Sequence, residues 1–246
     1  MSAAFRRDVR CYYHPLAMRI LALDTTARHG SVALVTDGRV EALLVSGGAS
    51  QPARRLPSEL AEVLNQAGAT LDAVDALAVA AGPGSFTGLR IGISTMQGLA
   101  LATGRPLLGI SALDALAYVA ARDEPDAEHV IGAWIDAWRG EVYAARFSAD
   151  GTPDGDPIVV RPAEALAQLG NARALLVGDG VAAHREELAT LAPRAELADP
   201  LVPPLAPAVA VLAERAVAGG ARPAPHAIRP IYVRRPDAEI ARGTRA

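Results

Sequence analysis

Two short segments combine residue types that can do chemistry. Residues 82–92 read GPGSFTGLRIG. Gly82 and Gly84 permit positive φ and let another group approach the backbone closely, and Ser85 or Thr87 is placed to cap a following helix. Free N–H groups at that helix start would meet an anion. The same letters also suit a strand-to-helix turn that needs glycine for packing. The second segment is Asp24-Thr25-Thr26, which either holds a metal–nucleotide or positions a water, or forms an Asx or Ser/Thr turn leading to Ser31. Asp136, followed by Arg139-Gly140-Glu141, offers either a structural ion pair or a second carboxylate. Two carboxylates facing each other across a cleft would be general acid–base candidates.

Composition removes several chemistries. The chain has 246 residues and a net charge of −3, and all 24 of its Lys+Arg positions are arginine. Without lysine there is no Walker-A loop, no Schiff-base or pyridoxal-phosphate chemistry and no protein-kinase site, each of which needs the amine. The mild negative charge and the lack of an arginine stripe argue against an autonomous nucleic-acid binder. The single Cys11 excludes a disulfide framework and a cysteine-based zinc site. His14, His29, His129, His184 and His226 share no i, i+3 or i+4 spacing, so a transition-metal site is not expected. Mg²⁺ held by Asp24 or Asp136 together with phosphate oxygens stays open. Residues 84–88, GSFTG, are not the G-x-S-x-G of a serine hydrolase. Residues 1–17 hold no apolar run of signal-peptide length, and no segment reaches the roughly 20 apolar residues of a membrane span. The expectation is a cytoplasmic protein with an unstructured N-terminal extension over 1–17.

The elements that must position these residues follow from periodicity. RILALD (19–24) is an apolar run too short for a helix that ends on a carboxylate. Residues 31–36 and 39–45 are strand-like and joined by Asp37-Gly38, a two-residue hairpin signal. Leu56, Leu60, Val63, Leu64 and Ala67 recur at helical spacing, with Gly68 as a stop. ALAVAA (76–81) is a strand, and a helix is expected over 87–103. The second half repeats the order. Strands are expected at 130–136, 141–147 and 158–160, a helix at 163–169, a strand at 174–177 and a helix at 181–191. A last helix over 208–218 and a segment at 231–234 close the chain. Asp24 matches Asp136, and Gly82-x-Gly84 matches Gly178-x-Gly180.

A duplicated βββαβα unit is the order of the α/β actin-like fold (the ASKHA, ribonuclease H-like class), in which two lobes face each other across a cleft. That order makes Asp24, Thr25, Gly84, Ser85, Asp136, Gly178 and Gly180 the candidate nucleotide- or phosphate-facing residues. The helix after the glycine loop has a second property. Gly88, Gly92 and Thr95 share one face, flanked by Leu89, Met96 and Leu99. Each glycine within a helix costs about 1 kcal/mol relative to alanine, so the face needs a compensating contact. Either the sheet of the same lobe or a partner chain supplies it.

ILALDTTARHGSVAL (20–34), AGPGSFTGLRIGISTMQGLAL (81–101), IDAWRGEVYAA (135–145) and PIYVRRPDAE (230–239) resemble the TsaB (YeaZ) family. This is the actin-like-fold subunit of the bacterial tRNA threonylcarbamoyladenosine machinery, and the resemblance runs from residue 18 to about 239. It implies a first lobe over 18–106 joined by 207–240, and a second lobe over 107–206. It implies a non-catalytic subunit that pairs with and activates TsaD, which transfers threonylcarbamoyl to adenosine 37 of tRNAs reading codons that begin with A. The ATPase TsaE joins the assembly, and tRNA is met through the complex rather than directly. No cofactor of its own is implied, with ATP or ADP and Mg²⁺ placed at the junction between subunits. The His-x-x-x-His metal motif of the catalytic paralogue has no counterpart here, and Gln51 stands where many family members carry histidine. The implied pairing surface, for TsaD or for a second copy when TsaD is absent, is the two first-lobe helices. On them it comprises Leu56, Leu60, Val63, Leu64, Gly88, Leu89, Gly92, Thr95, Met96 and Leu99. Two rival readings stand beside this one: a stand-alone nucleotide hydrolase using Asp24 and Asp136, and a glycoprotease-like peptidase. In a lysine-free chain any anion must be met by backbone N–H groups or arginines, with Arg90, Arg139 and Arg54 nearest to the motifs.

Overall fold

The computed structural model describes residues 17–27, 29–47, 52–123 and 129–233. The expected extension up to residue 16, Gln51 and the end of the 230–239 segment lie outside these. Among the described residues two five-stranded sheets form, and they share one topology. In the first, β1 (Arg19–Asp24) pairs antiparallel with β2 (Ser31–Thr36), and β2 pairs antiparallel with β3 (Arg39–Val45). On its other side β1 runs parallel to β4 (Ala76–Gly82), which runs parallel to β5 (Leu107–Ser111), giving the order β3-β2-β1-β4-β5. In the second sheet β6 (His129–Asp136), β7 (Val142–Ser148), β8 (Ile158–Val160), β9 (Arg173–Val177) and β10 (Glu196–Leu197) take the order β8-β7-β6-β9-β10. Strand for strand the two orders correspond, with the same antiparallel and parallel pairings. The chain therefore has the two-lobe actin-like architecture, and Asp24 and Asp136 stand at equivalent ends of β1 and β6. At the first hairpin Asp37 and Gly38 have φ of 49° and 73°, the pair of left-handed residues that a tight two-residue hairpin requires.

The alternation of side chains along each strand decides the layers. Leu21, Leu23, Val32 and Leu34 point to one face of the first sheet, where α1 (Pro52–Gln66) and α2 (Phe86–Thr103) cover them with Leu56, Val63, Ile93 and Met96. Ile20, Ala22, Ala33 and Val35 point the other way, into a central layer shared with Ile131, Ala133, Ile135 and Phe147 of the second sheet. Two helices fill that layer, α3 (Ala112–Asp123) and α7 (Ala206–Ala218), both rich in alanine on their buried faces. The outer face of the second sheet carries Trp134, Val142 and Leu176 and is covered from α4 (Pro162–Leu169), α5 (Asp179–Ala183) and α6 (Arg185–Leu191). No helix of the described residues is long and apolar enough to cross a membrane.

Four features depart from the periodicity. α1 begins at Pro52, four residues before its first core residue Leu56, because its opening residues, PARR, hold no large apolar side chain to set the period. β5 and α3 follow each other without an intervening glycine or proline, so nothing in the letters separates one from the other. The helix expected over 181–191 is broken at His184, which has φ −112° and ψ 21° and is shared by the end of α5 and the start of α6. The terminal segment is not a strand: Ile231 donates one backbone hydrogen bond to the Ala81 carbonyl at 2.7 Å. Upstream of it, the Gln97 side-chain amide of α2 donates to the carbonyls of Pro225 (2.9 Å) and Ile228 (3.1 Å). Residues 225–231 thus strap along α2.

The start of α7 has no side-chain cap of its own. Its Ala206 N–H instead donates to the buried Ser31 hydroxyl on β2 at 3.0 Å. Leaving a buried donor unsatisfied costs about 1–3 kcal/mol. Ser31→Ala is therefore expected to lower the urea unfolding free energy by about that amount, and an unchanged midpoint would show that the bond carries no stability.

Candidate functional site

The carboxyl ends of β1 and β6 open toward each other, and between them lies a cavity of about 580 Å³. Its walls include Thr25, Thr26, His29 and Arg55 from the first lobe, Ser85, Thr87 and Gly88 from the start of α2, and Asp136, Trp138, Asp179 and Val202 from the second lobe. Of the residues read as phosphate-facing, Thr25, Ser85 and Asp136 reach this cavity. Asp24 stands behind the wall, 1% exposed, with its Oδ1 accepting from the Thr26 N–H (2.8 Å) and the Thr26 hydroxyl (2.6 Å). Burial pushes the Asp24 carboxyl above its ordinary range, and the two hydrogen bonds from Thr26 oppose the shift.

The glycines do something other than cradle a ligand. Ser85 caps α2, its hydroxyl accepting from the Gly88 N–H at 3.3 Å, and the Ser85 N–H donates to the Thr26 carbonyl at 2.8 Å. A Cβ on Gly84 would lie 2.6 Å from that carbonyl oxygen. A Cβ on Gly88 would overlap the Thr25 carbonyl oxygen, and one on Gly92 would overlap the Thr25 Oγ1. The Thr25 hydroxyl in turn donates to the Gly88 carbonyl at 2.9 Å. The second lobe repeats the device: Gly178, at φ 117°, and Gly180 lie against the backbone of Trp134, Ile135 and Asp136. Gly84, Gly178 and Gly180 are therefore packing residues. At the first turn Thr25 and Thr26 stand against Gly84, Gly88 and Gly92, so these glycines serve the approach of α2 to the end of β1.

The same contact corrects the expected pairing surface. Gly88 and Gly92 meet Thr25 of their own lobe rather than another chain. Leu56, Leu60, Val63, Leu64, Leu89 and Met96 are buried in the lobe, and Thr95 and Leu99 are only partly exposed. The outward face of α2 consists of other residues, Arg90, Ser94, Gly98 and Leu101, the last 70% exposed. A Cβ on Gly98 would meet nothing within 4 Å.

Three site residues carry no sequence signal strong enough to single them out. Asp179 sits between the two glycines of the second turn, and its Oδ1 accepts from the Asp136 N–H at 3.1 Å. Burial, reinforced by the Asp136 and Asp24 carboxylates, pushes it up to about 6 against the pull of that hydrogen bond. Arg55 is the arginine that lines the cavity among the described residues, held by Glu59 at 3.5 Å and donating to the Gly47 carbonyl at 2.7 Å. Arg90, by contrast, lies 3.9 Å over the Phe86 ring and donates to the Tyr232 hydroxyl at 3.3 Å, outside the cavity. Arg54 and Arg139 are exposed. Trp138 lines the cavity at 56% exposure. Asp136 uses its Oδ1 to accept from the Trp138 N–H at 2.8 Å. Among the described residues no three His, Cys, Asp or Glu side chains are grouped to hold a metal ion.

Comparison with known proteins places this geometry. Residues 48–242 match the family model for tRNA N6-adenosine threonylcarbamoyltransferase, TsaD. The tRNA threonylcarbamoyladenosine biosynthesis protein TsaB of Haemophilus influenzae is 36% identical over 180 residues, covering 69% of this chain and 75% of that protein. The TsaB of Escherichia coli is 44% identical over 133 residues, and the match spans 54% of this chain and only 56% of that relative. The solved structure of YeaZ from Pseudomonas aeruginosa superimposes with a TM-score of 0.73 at 34% identity, over 87% of this chain and 99% of that one. An ethanolamine utilization protein EutJ from Carboxydothermus hydrogenoformans, at 12% identity and a TM-score of 0.50, shares the fold alone.

Two outcomes follow from the geometry. Gly92→Ala forces a methyl group onto the Thr25 hydroxyl, an overpacking expected to cost about 1–3 kcal/mol. Adding Thr25→Ala removes the obstructing oxygen, so the double variant should be more stable than the sum of the two single changes predicts. Strict additivity in urea unfolding would show that the two residues do not press on each other. The second outcome concerns pH. The folded chain holds the Asp179 proton more tightly than an ordinary carboxyl near 3.8. That contribution is complete below about 3.8 and lost as pH rises through about 6. Asp179→Asn keeps an acceptor for the Asp136 N–H and carries no charge. Its unfolding free energy should fall less than that of the unaltered chain between pH 4 and 7.5, and parallel profiles would refute the assignment.

Proposed function

The chain belongs to the TsaB (YeaZ) family, within the wider group described by the TsaD model, and from that membership we propose that it serves tRNA threonylcarbamoyladenosine biosynthesis as a non-catalytic subunit. It pairs with a TsaD-type catalytic chain and activates it for threonylcarbamoyl transfer to adenosine 37. The TsaE ATPase joins the same assembly, and tRNA is contacted through the partners.

The observation that carries this reading is the occupation of the glycine turn by the chain's own threonines. For these turns to receive a phosphate, their glycines and the helix starts behind them would have to face open space. Here both turns are pressed onto the ends of β1 and β6. What the first lobe offers outward is α2, whose Ser94, Gly98 and Leu101 present a small-residue stripe ending in a large apolar side chain at 70% exposure. A helix bare of Cβ at Gly98 lets another helix approach closely, and Leu101 supplies the apolar contact. The proposed pairing surface is therefore the outer face of α2, with the interior residues of α1 and α2 acting only to hold it in place.

Leu101→Asp should abolish co-elution with the TsaD partner while leaving the thermal unfolding profile of the free chain unchanged. It should also fail to restore threonylcarbamoyladenosine to tRNA in cells depleted of their own TsaB. Normal co-elution and full restoration would remove α2 from the pairing surface.

A further inference from the structure

The two lobes share a topology but differ in how their outer layers are filled. In the first, Leu21, Leu23, Val32 and Leu34 lie under Leu56, Leu60 and Val63 of α1, all of them buried. In the second, the layer between β7 and α4 is built on Ala144 and Ala165, whose side chains are one carbon long. α4 has eight residues against the fifteen of α1. The gap stays open. A cavity of about 240 Å³ lies between β7, α4 and residues 154–156, which lead into β8. Among the described residues it shares no lining residue with the interlobe cleft.

A void left by short side chains alone is apolar and stays dry. This one is faced by Arg146, Asp154, Asp156 and Gln168 as well as by Trp134 and Ile158. The Arg146 Nε is buried and lies 2.9 Å from the Asp154 carboxylate without the alignment of a hydrogen bond, so its N–H is unsatisfied. The Arg146 Nη1 donates to the Gln168 carbonyl at 3.2 Å, which fixes the guanidinium against α4. Buried donors without partners are rare in folded proteins and call for a cause. Asp156 is exposed, and among the described residues no cation pairs with it. Trp134 is fully buried, and its single polar atom is a donor.

One small space therefore brings together a guanidinium with an unused donor, an unpaired carboxylate and an apolar floor. A lone anion or a lone cation would satisfy one of the two charged groups and meet the other as a like charge. A molecule carrying both charges a few bonds apart satisfies both. The volume is below the roughly 300–1,000 Å³ of sites for drug-sized ligands, which restricts the occupant to something smaller than a peptide.

We infer that this cavity is a binding site for a free α-amino acid with an aliphatic side chain. Its carboxylate accepts from Arg146, its ammonium donates to Asp156, and its side chain rests on Trp134 and Ile158. Charge-assisted hydrogen bonds of this kind are the strong ones. The site has no residue in common with the outer face of α2, so this inference and the subunit reading fail separately.

The test uses L-leucine as the probe, in calorimetric titration of the full chain at neutral pH. A parallel fluorescence titration uses the full chain carrying Trp138→Phe, in which Trp134 is the one tryptophan left. L-Leucine should bind saturably and shift the Trp134 emission. L-Leucinamide, which lacks the carboxylate, and 4-methylpentanoate, which lacks the amine, should each bind at least tenfold more weakly. Asp156→Asn should weaken L-leucine at least tenfold without changing the unfolding temperature, and Asp156→Glu should keep most of the affinity. Absence of saturable L-leucine binding would overturn the inference. So would either analogue binding as tightly as L-leucine, undiminished binding in Asp156→Asn, or binding that leaves the Trp134 emission unmoved.

Discussion

The approach of a helix start to the end of a strand, close enough to leave no room for a Cβ, governs this structure. In the first lobe α2 rests on Thr25, with Gly88 against its carbonyl oxygen and Gly92 against its hydroxyl. In the second, Gly178 and Gly180 bring α5 down on the backbone of β6. Since each strand ends in an aspartate, this contact fixes how far Asp24 and Asp136 stand from the neighbouring helix. It also brings Asp179 within hydrogen-bonding distance of the Asp136 N–H. A side chain at any of these glycines would lift the helix and spread the cleft. The cavity wall, the raised carboxyl of Asp179 and the orientation of the outer face of α2 all descend from that single spacing. Interiors packed at crystal-like density transmit such a displacement instead of absorbing it.

How far the letters reveal this differs from one residue to the next. The apolar runs ending in Asp24 and Asp136 were readable because a short buried strand closed by a carboxylate has few alternatives. The Asp37-Gly38 turn was readable because only a few residue pairs tolerate its backbone. The duplicated order of elements then led to the two-lobe architecture, and the four motif segments led to the family. The use of the glycines was not readable. A glycine that makes room for phosphate and a glycine that makes room for a threonine some sixty residues upstream look alike until the fold brings Thr25 to Gly88. Helical spacing puts Gly88, Gly92 and Thr95 on one face with Met96 beside it, yet spacing alone does not say whether that face looks inward. Trp138 lay inside a recognised segment without drawing notice, since exposure and a left-handed backbone belong to the folded chain. The start of α3 and the break at His184 carry no mark in the letters, because no glycine or proline stands between Ser111 and Ala112 or beside His184.

The distribution of charge adds to the picture. Arginine is the chain's only strong base, and the structure spends it mostly on fixed structural contacts. Arg19 grips Glu41 at 2.9 Å, Arg55 is shared between Glu59 and a carbonyl, and Arg90 lies over Phe86. A planar guanidinium suits such directed contacts better than a flexible ammonium would. Among the described residues the cleft is lined by Asp136, Asp179, His29 and Arg55, and burial tilts Asp24 and Asp179 toward protonation.

The position of α7 matters for how the chain comes off the ribosome. Among the described residues it is the last α-helix in the chain, yet it packs on β1 and β2, among the first strands to emerge, and its leading N–H binds Ser31. Until it arrives, the inward face of the first sheet, Ile20, Ala22, Ala33 and Val35, has no helix from the chain's far end to cover it. The strap of residues 225–231 along α2 comes later still. The amino-terminal lobe thus cannot complete itself while the chain is growing. It must wait, partly open, for residues made nearly two hundred positions later, because α7 packs on β1, β2, β4 and β5 of that lobe.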